Sequence, residues 1–201
     1  MQTVRASLSA VDYLAREMTA SVRHEYVDGH AYALSGASLR HGSLVTNFVA
    51  QTHLSARRRP PCRVFSQSVK VHVSARNSFY YPDVVATCEV GTREEYVVRE
   101  PCFIIEVLSP STASIDRREK RMAYATLDSL EQYVVVDQDR MRADVYCRGS
   151  KGWNLSILRE PQEVVQLTCL DCALTLEQIY AGIDLPMGVE EPTEEEEWLM
   201  A

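Results

Sequence analysis

A chain of 201 residues, 46% hydrophobic and 24% charged, has the balance of an ordinary globule and can cover both faces of a sheet as one domain. Its formal net charge of −7 excludes a uniformly basic surface, but of its 28 acidic residues six (Glu190, Glu191, Glu194, Glu195, Glu196 and Glu197) crowd the C-terminal segment, leaving 22 acids against 21 bases elsewhere. No apolar run reaches the length of a membrane span, and Met1 to Ala10 lacks the apolar core of a secretory signal, so a cytoplasmic location is expected.

Phosphate affinity depends on local basic clusters rather than on total charge. Arg57-Arg58-Arg59 and Arg117-Arg118 with Lys120-Arg121 are two such clusters, each of which equally fits a solvated helix face. Of six cysteines only Cys169 and Cys172 have the C-x-x-C spacing, and no second pair completes a zinc site. They read as buried free thiols of a reducing compartment.

In chain order, Ser9 can cap a short helix with Asp12 in its first turn and Val11, Leu14 and Met18 as its apolar side. His24 to Ser35 reads as a hairpin: Glu25-Tyr26-Val27, a turn at Asp28-Gly29, then Ala31 to Leu34. A long helix follows from Ser38 to about Ala56, with Leu44, Val45, Phe48, Val49 and Thr52 as its packing stripe and His41 near its start. Arg63 to Val73 alternates as one or two half-buried strands bent near Gln67. Asn77-Ser78 reads as a loop, and Gly91 to Arg99 as an exposed charged segment with a possible short helix.

The runs Asp83-Val84-Val85-Ala86-Thr87-Cys88 and Cys102-Phe103-Ile104-Ile105-Glu106-Val107-Leu108 both read as buried strands. A carboxylate in such a strand is costly unless a cation or donor meets it. Asp83 and Glu106 at the mouths of neighbouring strands make a hard-oxygen site suited to Mg²⁺ or Mn²⁺. The next helix, capped by Ser114 and ending near Leu127, sets Asp116, Lys120 and Tyr124 along one face. The bland reading of that face is an Asp116–Lys120 ion pair; the functional one brings Lys120 back over the sheet. Strands at Glu131 to Asp137, Arg142 to Cys147 and Trp153 to Leu158 follow, with Asp137 a turn-capping residue. Thr175 caps a last helix packed through Leu176, Ile179 and Tyr180, and the tail beyond Pro186 has too little apolar content to pack.

Pro82-Asp83, Glu106-Val107-Leu108-Ser109-Pro110-Ser111-Thr112, Asp116-Arg117-Arg118-Glu119-Lys120 and Tyr133-Val134-Val135-Val136-Asp137 together resemble the Uma-two family of restriction endonucleases, within the PD-(D/E)XK nuclease superfamily. Glu25-Tyr26-Val27-Asp28-Gly29 and His41 resemble its N-terminal block. The resemblance implies an α/β fold of the restriction-endonuclease-like class, a mixed sheet flanked by helices with an N-terminal hairpin. It implies a nuclease domain over residues 1–185 and an acidic tail over 186–201.

It further implies a catalytic set of Glu25, Asp83, Glu106 and Lys120, with Mg²⁺ (or Mn²⁺) held by Asp83, Glu106 and the Val107 carbonyl. His41, Gln67 and Arg117 would lie behind that set or contact phosphate. The superfamily usually carries its lysine two residues after the glutamate; here that position is Leu108, so Lys120 resembles a displaced lysine. The activity implied is hydrolysis of DNA, acting as a homodimer on a duplex, by direct attack of water, since no serine or cysteine is spaced with a base as a nucleophile. A catalytically silent DNA- or protein-binding module, or a phosphatase of small nucleotides, also fits these residues.

Overall fold

The structure is a computed structural model that describes residues 7–91, 94–109 and 115–186, with 115–117 described by their backbone alone. Helix α1 (Ala10–Glu17) opens it, with Ser9 Oγ accepting from Asp12 N at 3.0 Å. Its buried side chain is Tyr13, whereas Val11 and Met18 face solvent, contrary to the apolar side expected from sequence. Tyr13 wins because its ring stacks on Tyr26 at 5.0 Å and its hydroxyl reaches the His24 carbonyl. An aromatic with a satisfied polar tip gains more by burial than either aliphatic residue.

The hairpin pairs β1 (His24–Val27) with β2 (His30–Ala33), and Asp28 and Gly29 both take the positive φ that a two-residue hairpin turn requires. Helix α2 (Leu39–Arg57) buries Leu44, Val45, Phe48 and Thr52 as the stripe predicts, and Ser38 caps it by accepting from His41 N. Gln67, at a φ of 50°, makes the bend that separates β3 (Arg63–Ser66) from β4 (Lys70–Val73) and sends them to different sheets.

Ser78, assigned to a loop from sequence, begins a buried strand, β5 (Ser78–Tyr80), and β6 (Val84–Thr87) follows. The segment before β8 (Pro101–Leu108) contains a short strand, β7 (Val97–Val98), and no helix among its described residues; two adjacent valines pair with β4 and bury their side chains. A π-helical stretch, Ile115–Lys120, continues into α3 (Arg121–Tyr124). Strands β9 (Gln132–Asp137), β10 (Ala143–Gly149), β11 (Gly152–Leu158), β12 (Val164–Leu167) and β13 (Cys172–Thr175) lead to α4 (Leu176–Ile179). Thr175 and Gln178 close a reciprocal cap on α4.

The expected mixed sheet flanked by helices forms the centre, and two further sheets accompany it among the described residues. The central six-stranded sheet runs β11-β10-β9-β8-β6-β3, parallel only at β8–β9; the hairpin extends into a five-stranded sheet, β2-β1-β5-β4-β7, and β12-β13 is a separate ribbon. On β8, Phe103, Ile105 and Val107 face α2, the ribbon and α4, while Ile104 and Leu108 face α3 and the five-stranded sheet. This alternation explains why the strand is a continuous apolar run: both faces are covered. Parallel strands β8 and β9 need a crossover, and the helix through Lys120 is that crossover.

The free-thiol expectation fails for four cysteines. Cys62–Cys88 and Cys102–Cys169 are disulfides, and Cys147 and Cys172 are free thiols. Sequence spacing could not show that four separate segments bring these sulfurs to one end of the central sheet. The C-x-x-C spacing proves incidental, since Cys169 joins that group and Cys172 packs in the core.

Ile105, fully buried at the centre of β8, offers a direct check. Ile105→Ala is expected to lower the unfolding free energy by about 2–5 kcal/mol, read as a lower urea midpoint at unchanged slope. An unchanged midpoint would contradict its place in the core.

Candidate active site

The site lies where β6 begins and β8 ends. Asp83 stands just before β6, and in the antiparallel register Val84 faces Ile105, which sets Asp83 beside Glu106. Asp83 N donates to Glu106 Oε2 at 3.4 Å, and Val107 N donates to Asp83 Oδ2 at 2.8 Å. A strand residue turns its N–H and C=O to the same neighbour, so the Val107 carbonyl faces the side where Asp83 sits.

His41 and Gln67 both meet the other Asp83 oxygen, His41 Nε2 at 2.8 Å and Gln67 Nε2 at 3.2 Å. The Ser38 cap fixes the first turn of α2 and so aims His41, while the left-handed bend at Gln67 presents its amide. His41 Nδ1 is buried and has no hydrogen-bond partner among the described residues.

Lys120 bridges two carboxylates: its Nζ is 2.9 Å from Glu25 Oε1 and 3.2 Å from Glu106 Oε1. The Asp116 side chain, the partner in the i,i+4 alternative, lies outside the described residues. The position on β8 where a lysine would otherwise share the face of Glu106 holds Leu108, packed with Ala123 and Tyr124. The charge therefore comes from the crossover helix over the same face. The Arg117 side chain and the segment containing Ser111, Thr112 and Ser114 also lie outside what is described, as does the tail from residue 187.

Three contributions were not found in the sequence. Tyr124 Oη donates to Glu106 Oε1 at 3.1 Å; its phenol, wholly buried beside Glu106, is pushed well above its ordinary pKa and remains a donor. Its placement one turn after Lys120 was the available signal. Tyr81 N donates to Glu25 Oε1 at 3.1 Å, tying the hairpin to the Pro82-Asp83 segment. The Tyr81 hydroxyl in turn donates to Glu17 and receives the buried Lys70 ammonium at 3.1 Å, whose pKa burial lowers. Nothing in the sequence pairs Glu17 with Lys70 across that distance along the chain.

Among the described side chains, Glu25, Asp83 and Glu106 thus converge on one ammonium and one imidazole, all at 8% exposure or less. The donor set suits a hard divalent cation: two carboxylates and a backbone carbonyl, with the remaining positions for water or a phosphate oxygen. By contrast, Arg57, Arg58 and Arg59 lie at the far end of α2, about 24 Å from His41 at the helical rise, and take no part here.

A mixed sheet with carboxylates at the ends of adjacent strands and a lysine on the crossover defines a nuclease-like fold. The chain belongs to the Uma2 (Uma-two) family, described as "Putative restriction endonuclease", whose pattern matches residues 10–177. Two uncharacterised proteins of Synechocystis sp. are similar: slr1290, 28% identical over 88% of this chain and 93% of its own, and sll1609, 30% identical over 75% and 87%. A crystal structure from Anabaena variabilis, titled a putative nuclease belonging to DUF820, shares the fold with a TM-score of 0.68 at 14% identity, over 81% of this chain and 92% of that one.

The geometry makes Lys120 and Glu25 an energetic unit. Lys120→Met removes the ammonium that two buried carboxylates share and is expected to cost about 3–5 kcal/mol. Paired with Glu25→Gln it should cost less than the two single changes together, by about 1–3 kcal/mol in a thermal or urea double-mutant cycle. Strict additivity would contradict the shared contact.

Proposed function

We propose that the chain is a divalent-cation-dependent endonuclease that hydrolyses DNA phosphodiester bonds. The observation that supports it best is the pair of buried carboxylates, Asp83 and Glu106, set together at the ends of adjacent strands beside Lys120, in a family of nuclease type. Asp83, Glu106 and the Val107 carbonyl would hold Mg²⁺ or Mn²⁺. Bound there, the cation would supply polarisation of the scissile phosphate and a lowered pKa for a coordinated water.

The chain's own groups divide the remaining work. His41 and Gln67 hold one Asp83 oxygen, and the Val107 N–H holds the other, so the carboxylate keeps one orientation. Tyr124 does the same for Glu106. Lys120, anchored by Glu25, would orient the attacking water and offset charge that builds on the phosphorane. In-line attack requires no covalent intermediate. A homodimer, which the family resemblance suggests, would supply one such site for each strand of a duplex.

Nicking of supercoiled plasmid DNA in Mg²⁺ or Mn²⁺ tests the reading. Wild type should nick the plasmid, chelator should stop it, and Asp83→Ala, Glu106→Ala and Lys120→Met should each fall by at least about 100-fold. Wild type that retains plasmid in a gel shift yet leaves it intact with either metal, with Asp83→Ala binding equally, would instead identify a silent binding module.

A further inference from the structure

The other end of the same sheet carries a second cluster of ligand atoms. Cys62 precedes β3, Cys88 follows β6, Cys102 lies in the first turn of β8 pairing, and Cys169 sits in the 3₁₀ turn Thr168–Leu170. The Sγ atoms of Cys88, Cys102 and Cys169 lie within 4.8 Å of one another, and Cys88 Sγ is 4.0 Å from Cys102 Sγ although the two belong to different disulfides. Cys62 is bonded to Cys88, which sets a fourth sulfur beside this group.

A β-bulge produces this convergence. On β6–β8 the register moves from Ala86↔Phe103 to Thr87↔Pro101, leaving Cys102 as the extra residue. Strict alternation would turn Cys102 to the face of Ile104; instead it shares the face of Phe103 and Ile105, in the core that Cys62, Cys88 and Cys169 also border. The bulge re-aims one side chain, and that side chain is a cysteine.

We propose that in its reduced state this cluster is a four-thiolate site for Zn²⁺, formed by Cys62, Cys88, Cys102 and Cys169. A tetrahedral centre with Zn–S bonds of about 2.3 Å sets its sulfurs about 3.8 Å apart, close to the 4.0 Å that already separates Cys88 Sγ from Cys102 Sγ, and each bonded pair opens toward that spacing once reduced. Four segments far apart in sequence would be tied at one point, as structural zinc sites do.

The charge surroundings agree. A zinc tetrathiolate carries two negative charges, and Arg57, Arg58 and Arg59, which the carboxylate site does not use, lie three to five residues before Cys62; the Cys62 N–H bonds back to the Arg59 carbonyl at 2.9 Å. Cys62, Cys88 and Cys169 are only half-buried, which leaves an entry path for the ion. Along β8, Cys102 and Glu106 are about 13 Å apart at the rise of an extended strand, so the two sites are separate.

The chemistry balances simply. Two equivalents of a phosphine reductant open the two disulfides, each taking one oxygen from water and leaving two thiols. Four thiols then lose four protons as one divalent cation enters.

Cobalt(II) titrated anaerobically into phosphine-reduced protein provides the test, because thiolate-to-cobalt charge transfer reports sulfur ligation and not carboxylate binding. Wild type, Asp83→Ala and Cys147→Ser should each develop that absorption to one equivalent per chain, and Zn²⁺ should bleach it. Cys102→Ser and Cys169→Ser should bind at least tenfold more weakly. Absence of the band in reduced wild type, or an undiminished band in Cys102→Ser, would overturn the proposal whatever the outcome of the plasmid assay.

Discussion

Glu25, Asp83 and Glu106 are drawn out of water around a single lysine, and that placement governs how the surrounding chain is built. Each buried ion carries a desolvation penalty of several kcal/mol, which its partners must offset. Lys120 meets two of the three carboxylates; Asp83 is met by an imidazole, a carboxamide and a backbone N–H. Glu106 also takes the Tyr124 phenol, and Glu25 takes the Tyr81 N–H. These donors come from α2, the bend after β3, the link between β5 and β6, β8 and the crossover helix. Five segments are thereby fixed relative to one another by polar contacts that tolerate little displacement.

The central sheet gathers ligand atoms at both of its ends. Strands β6 and β8 run antiparallel, so the start of one lies beside the end of the other: Asp83 with Glu106 at one edge, Cys88 with Cys102 at the opposite edge. Helix α2 spans the same distance, presenting His41 at its capped N-terminus and the three arginines near its C-terminus. The parallel step from β8 to β9 forces a crossover, and the crossover carries Lys120 back over the Glu106 face. Topology, rather than local sequence, brings the lysine there.

Much of this could be read from residues alone where a local rule dominates. The Asp28-Gly29 turn, the α2 stripe, the Ser9 and Thr175 caps and the apolar runs of β6, β8 and β9 all obey periodicity or capping and appear as expected. The four residues expected at the site are brought together. What escaped depended on partners distant along the chain. Ser78–Tyr80 is too short to show a strand period, and only pairing with β1 and β4 makes it one. Val97–Val98 is likewise a strand only because Lys70 and Val71 lie beside it. Tyr13 replaced Val11 and Met18 in the interior because Tyr26 offered a ring to stack on. The cysteines looked unrelated because the bulge that gathers them leaves no trace in spacing.

The central claim is that Asp83 and Glu106 hold a divalent cation. Calorimetric titration of Mn²⁺ into the protein, kept without reductant so that the cysteines remain in disulfides, measures this without any choice of nucleic-acid substrate. The account predicts saturable binding by wild type and its loss in both Asp83→Ala and Glu106→Ala. Wild type that takes up no Mn²⁺, with or without DNA present, would contradict it.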